Sequence, residues 1–118
     1  MNVVDLRSVF DTFSAPWSPK TVATMNDCDV RVVKMEGEFT RHRHPETDEM
    51  FLVLRGSLVI RMEDHDVELV AGQLFVVPRG AAHQPISHNG ADVLLFEPSE
   101  TVNTGDNPGE LTADRTVV

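Results

Sequence analysis

The spacing of apolar positions changes period once along the chain. Leu6, Val9, Phe10 and Phe13 recur at helical spacing behind Asp5, a residue able to cap, which predicts a short amphipathic helix over residues 6–13 ended by Pro16 and Pro19. From about Val22 the pattern becomes short β-branched runs between turn residues: Val30 to Val33, Met50 to Leu54, Leu58 to Met62, Val67 to Val70, Leu74 to Val77 and Val93 to Phe96. Such a series predicts an all-β, antiparallel barrel or sandwich. Gly56-Ser57 and Asn89-Gly90 carry hairpin chemistry, and Glu63-Asp64-His65-Asp66 reads as a charged tip. The predicted division is an N-terminal helix and arm over 1–21, a barrel over 22–98 and a polar tail over 99–118. That tail has few large apolar groups, so only a partner surface is expected to order it.

A two-residue loop at Gly56-Ser57 pairs Val53 with Ile60 and Phe51 with Met62, and Glu49 shares their side. Phe51, Ile60 and Met62 are therefore expected to line the interior. Met50, Leu52, Leu54 and Val59 face the other way and are equally apolar, which predicts cover by the helix or by a second subunit of a homodimer.

Composition narrows the setting. The 118 residues suit one domain, and 41% hydrophobic with 25% charged residues is ordinary for a folded one. No apolar run approaches the ~18 residues of a membrane span, and the start lacks the pattern of a secretory signal, so a cytoplasmic protein is expected. Nineteen acidic against ten basic residues leave a charge of −9, which argues against nucleic acid and anionic lipid as partners. Cys28 is the lone cysteine, so any metal must be held by histidine and carboxylate.

Those residue types occur in a telling order. His42 and His44 are two apart and project to one face of an extended chain. Glu49 follows a turn-like stretch that lets the next strand fold back beside them, and His83 comes after Pro78-Arg79-Gly80, where the chain turns again. Three imidazoles and a carboxylate make an open N/O site, with positions left for water or a ligand. His65, between two aspartates, and His88, beside Asn89-Gly90, read as solvated turn residues. Arg41 and Arg43 have the outward parity.

The run His42-Arg43-His44, four residues, Glu49, six residues, Gly56 resembles the first motif of the cupins. Gly72, five residues, Pro78-x-Gly80, two residues, His83 resembles the second. The resemblance covers about residues 30–97, with one residue fewer than usual between Gly37 and His42, and Ser87 where the motif ends in Asn. It implies a cupin-type β-barrel (double-stranded β-helix, or jelly roll) with a short N-terminal helix, holding one divalent transition metal (Fe, Mn, Ni, Cu or Zn) on His42, His44, Glu49 and His83. Cupins include both enzymes and binding proteins. The apolar lining read above suits a small, oxygen-rich chelating molecule, transformed by a dioxygenase or an isomerase/lyase or merely bound.

Overall fold

In the computed structural model, which describes residues 2–118, Asp5 caps helix α1 (Leu6–Phe10) by accepting from Ser8 N at 3.3 Å. The helix is shorter than expected. The Thr12 hydroxyl takes the Val9 carbonyl at 2.6 Å, and the chain unwinds so that Phe13 meets Phe10 at 5.9 Å and the ammonium groups of Lys20 and Lys34 at 5.4 Å each.

Six strands follow: β1 (Lys20–Met25), β2 (Cys28–Glu38), β3 (Glu49–Arg61), β4 (Asp66–Val70), β5 (Leu74–Val77) and β6 (Gln84–Pro98). All pair antiparallel in the order β1-β2-β6-β3-β4, and β5 joins the first half of β3. Val33, Met35, Phe51, Val53, Leu58, Ile60, Val93 and Leu95 form the buried core between the strands.

Two expected hairpins are absent. The 13-residue β3 runs straight through Gly56-Ser57, and the 15-residue β6 runs straight through Asn89-Gly90. Gly56 has φ +82°, but it uses that freedom to bend alongside β6: it pairs with Ala91, and a Cβ there would collide with the Gly90 carbonyl oxygen. Pairing slips between Gly56 and Val59, which moves the inward set from Phe51 and Val53 to Leu58 and Ile60. A bulge and a two-residue turn shift parity alike, so the expected inward faces are right although the turn is not there. Ser87 completes this corner, its hydroxyl donating to the Ser57 carbonyl at 2.7 Å. The hairpin between β3 and β4 is present, closed by Met62 N donating to the His65 carbonyl at 2.8 Å.

The tail also departs from expectation. It lies on its own barrel: Thr21 and Val117 form a parallel bridge, and Arg115 reaches the Asp29 carboxylate at 2.7 Å. Hydrogen bonds order it where apolar burial does not, which is why a hydrophobicity pattern misses it.

Candidate metal centre

The cluster forms where two irregular segments meet. His42 N donates to the His83 carbonyl at 3.0 Å and His83 N to the His42 carbonyl at 2.9 Å, an isolated antiparallel pair that sets both rings on one side. Gly80 N donates to the His44 carbonyl at 2.9 Å, and Glu49 opens β3 beside them. One ligand atom from each of His42, His44, Glu49 and His83 lies within 4.8 Å of all the others, and all four residues are buried. The Nε2 atoms of His42 and His44 are 3.2 Å apart, and Glu49 Oε1 is 3.2 Å from His83 Nε2 and 3.4 Å from His44 Nε2. Two ligands ~2.1 Å from a common ion and at right angles to each other lie ~3 Å apart, so the donor set fits a transition metal.

The surroundings prepare the donors. His42 Nδ1 donates to the Thr40 carbonyl at 2.8 Å and His83 Nδ1 to the Ala81 carbonyl at 2.9 Å, which leaves Nε2 of both rings as the free nitrogen. Burial lowers His42 from 6.5 to about 4, so its ring is neutral at pH 7. Burial alone would raise Glu49, but its close contacts with Glu97, His44 and His83 outweigh it and hold the carboxyl well below its ordinary range. Glu97 goes the other way, raised by burial and by the Glu49 carboxylate beside it. Its Oε2 accepts from Arg31 at 2.7 Å, while the buried Oε1 has no hydrogen-bond partner, so one oxygen of this carboxyl is left unpaired.

Glu97 belongs to a second buried cluster that sequence reading missed. Asp29, at 0% exposure, accepts from Arg115 at 2.7 Å, Ser99 at 2.7 Å, Thr21 at 3.1 Å and Arg31 at 3.1 Å, and with Arg115 foremost these hold it ionised. A signal was available: Asp29 and Arg31 share the parity of Val33 and Met35, and Glu97 shares that of Val93 and Leu95.

A small cavity of about 20 Å³ adjoins His42 and Glu49, walled by Trp17, Pro19, Val33, Met35, Phe39, Phe51, Pro85, Leu95 and Asn103. Phe51 is part of that wall. Ile60 and Met62 are not: Ile60 is consumed in the core at 0% exposure and Met62 packs on the core's edge, because β3 continues past Gly56 to pair with β4. Trp17, Met35 and Phe39 take their place. Arg43 is exposed and pairs with Asp106 at 3.6 Å, while His65, also exposed, pairs with Asp64 at 2.6 Å. His88 is exposed, and Cys28 is free and half-buried on the outer face of β2.

An antiparallel barrel with three histidines and a glutamate gathered inside defines a cupin-type protein with a potential metal site. Residues 29–97, more than half of the chain, match the family described as "Cupin domain", and the chain belongs to that family. The uncharacterized protein YdbB of Bacillus subtilis (strain 168) is 33% identical in an 88-residue alignment that covers 65% of this chain and 78% of that one. A cupin-2 domain containing protein from Shewanella frigidimarina NCIMB 400 matches with TM-score 0.80 at 38% identity, covering 81% of this chain and 94% of that chain. Protein NMB1881 from Neisseria meningitidis shares the fold with TM-score 0.76 at 23% identity, over 83% of this chain and 100% of that chain. No helix among the described residues is long and apolar enough to cross a membrane.

Proposed function

We propose that this cupin holds one divalent transition metal on His42, His44, His83 and Glu49 and is an enzyme acting on a small, oxygen-rich chelating molecule, as a dioxygenase or an isomerase/lyase. The observation that carries the reading is the convergence of three imidazoles and one carboxylate beside an apolar cavity. When bound, the ion supplies Lewis acidity toward a chelated oxygen and, where it is redox-active, electrons. The chain supplies the rest. Thr40 and Ala81 aim the rings, and Met35, Phe39, Phe51 and Leu95 exclude water and fit a carbon skeleton. Imidazole with carboxylate suits Fe, Mn, Ni, Cu and Zn alike.

A binding module is the second reading, and one observation favours it: beyond His42 and Glu49, the cavity wall offers Asn103 but no acid or base. Metal analysis of the purified protein, followed by oxygen-electrode and absorbance screens with enols, keto acids and catechols, separates the two. Turnover that Glu49→Gln abolishes supports the enzyme, binding without turnover supports the module, and absence of metal binding overturns both. We further propose a homodimer through the outer face of the sheet, where Met50 and Val76 pair, as do Leu52 and Leu74, with Leu74 56% and Val76 46% exposed. A monomer in sedimentation equilibrium at micromolar concentration and ~0.15 M salt would refute it.

A further inference from the structure

The cavity at the cluster is too small for the molecule it is read to take. Its volume of about 20 Å³ accommodates roughly one water, whereas small-molecule sites span ~300–1,000 Å³. Asn103, from the C-terminal arm, forms one wall. On the other side of the arm is an open groove of about 370 Å³ that includes His44, Glu46, Glu100, Thr101, Val102 and Gly105 in its lining. Because His42 of the cavity and His44 of the groove meet at 3.2 Å, both spaces reach the same cluster, and the arm lines each of them.

We propose that the segment 102–105 is a movable partition: when it lifts, cavity and groove become one ligand site, whose outer half takes the neutral or cationic end of a small molecule. This rests on the reading of the cluster as a ligand-binding metal site. The charge preference follows from the groove, where Glu46 and Glu100 are exposed and no lysine or arginine lines the wall.

The arm is built as a flap between two anchors. At one end Arg31 donates to the carbonyls of Ser99 and Thr101, each at 2.8 Å. At the other, Arg115 holds Asp29 at 2.7 Å and Val118 N donates to the Thr21 carbonyl at 3.0 Å. The body between them is braced internally: Asn103 Nδ2 donates to the Leu111 carbonyl at 2.9 Å, Ala113 N to Asn103 Oδ1 at 2.9 Å, and the hydroxyls of Thr104 and Thr112 meet at 2.7 Å. The latch to the barrel is polar and confined to one strip. Arg43 N donates to Asp106 Oδ1 at 2.9 Å, Asp106 N to the Arg43 carbonyl at 3.1 Å, and Asn107 Nδ2 to the Arg41 carbonyl at 3.0 Å. Bonds of this kind exchange readily with water, and opening the flap uncovers Thr104, fully buried when closed, together with the cavity wall.

Gly105 sets the fit of the closed flap. A Cβ there would collide with the Arg43 carbonyl oxygen and come within 2.9 Å of the His42 ring, so a larger residue holds the flap off. The opposite wall does not give. Trp17 sits at φ +58°, costly for a bulky residue, and is held by its N–H to the Lys34 carbonyl at 2.8 Å, its indole N–H to the Glu36 carbonyl at 2.9 Å and stacking on Phe39 at 4.7 Å.

Trp17 is the single tryptophan and lines the cavity, so its emission reports the partition directly. Quenching is measured on the metal-free protein, on the latch variant Asp106→Ala/Asn107→Ala and on the wedge variant Gly105→Ala, each checked for fold by circular dichroism. Acrylamide quenching is expected to rise about threefold or more in both variants, as for a side chain released to solvent by local opening. Caesium should quench the latch variant better than iodide, and adding Glu46→Gln/Glu100→Gln should at least halve that difference. Equal acrylamide quenching in the wild type and the folded latch variant would overturn the partition, and a caesium preference that survives loss of both glutamates would overturn the ligand class. In parallel, imidazole is mixed with Co(II)-loaded protein and followed by absorbance. Faster entry into the latch variant is expected, and equal rates overturn the gate. Protein that takes up no Co(II) defeats the metal reading, while the quenching result still decides the partition.

Discussion

Two polar clusters lie inside one barrel, and they balance charge in opposite ways. Around Glu49, three imidazole nitrogens and a carboxylate oxygen aim lone pairs at one point, with no lysine or arginine among them. A few residues along the same inward faces, Asp29 is met by both Arg31 and Arg115, and Glu97 by Arg31. The second cluster meets its carboxylates with cations of the chain itself, whereas the first offers donors that a cation from outside would complete. Glu97 lies between them, paired to Arg31 on one side and raised by the Glu49 carboxylate beside it on the other. The difference separates a polar cluster that supports the fold from one that has chemistry to offer.

The largest effect should come from breaking the self-contained cluster. Arg31→Ala strands two buried carboxyls and is expected to cost ~3–5 kcal/mol in urea unfolding, with or without metal. A loss below ~1 kcal/mol would mean that Arg115 alone carries the charge balance.

Breaking the other cluster should spare the metal-free fold and remove the ion. His42→Ala with His44→Ala is expected to weaken Co(II) or Zn(II) binding by more than ~100-fold, beyond the 10–100-fold typical of losing a supporting residue. The rise in melting temperature that metal gives the wild type should vanish with it. If chelator still lowers the melting temperature of the double variant, the ion sits elsewhere.

Acid sharpens the contrast in the metal-free protein. The folded-state value of His42 is depressed from 6.5 to about 4, so its contribution is complete above pH 6.5 and is lost as pH falls toward 4, where the unfolded chain binds the extra proton. Between pH 7.5 and 4.5 the loss is on the order of 2 kcal/mol. Asp29 is held ionised well below this window, so its pairs with Arg31 and Arg115 persist through it. Urea midpoints at pH 7.5 and 4.5 for wild type and His42→Ala check this, and an undiminished pH dependence in the variant would assign the effect to another group.

The smallest effect should come from Cys28, which belongs to neither cluster. Cys28→Ser is expected to change stability by less than ~0.5 kcal/mol and to leave metal uptake unchanged. Thiol alkylation that displaced the metal would contradict this.

The two clusters were not equally legible. His42 and His44 two apart, Glu49 after a turn and His83 after Pro78-Arg79-Gly80 announce themselves by spacing. Asp29, Arg31 and Glu97 make sense only once Asp29 is known to pair with Glu97 and Arg31 with Leu95 across β2 and β6, a register between segments more than sixty residues apart that no local pattern carries. The inward faces of β3 were legible by parity even though the hairpin was not there. The glycine that favours a turn also permits a bend, and the crossing with β6 decides between them. The arm was illegible for a different reason: Asp106, Asn107 and Arg115 hold it by hydrogen bonds whose partners lie far off in sequence.

The position of β6 has a consequence for how the protein is made. It is the last strand in the chain, yet it lies between β2 and β3 in the sheet. Until residues 84–98 leave the ribosome, β2 and β3 have no common neighbour, and the inward faces of both are open to water. The nascent chain therefore waits, with its histidines and its apolar residues equally exposed, for one 15-residue segment to insert and close the sheet in a single late step.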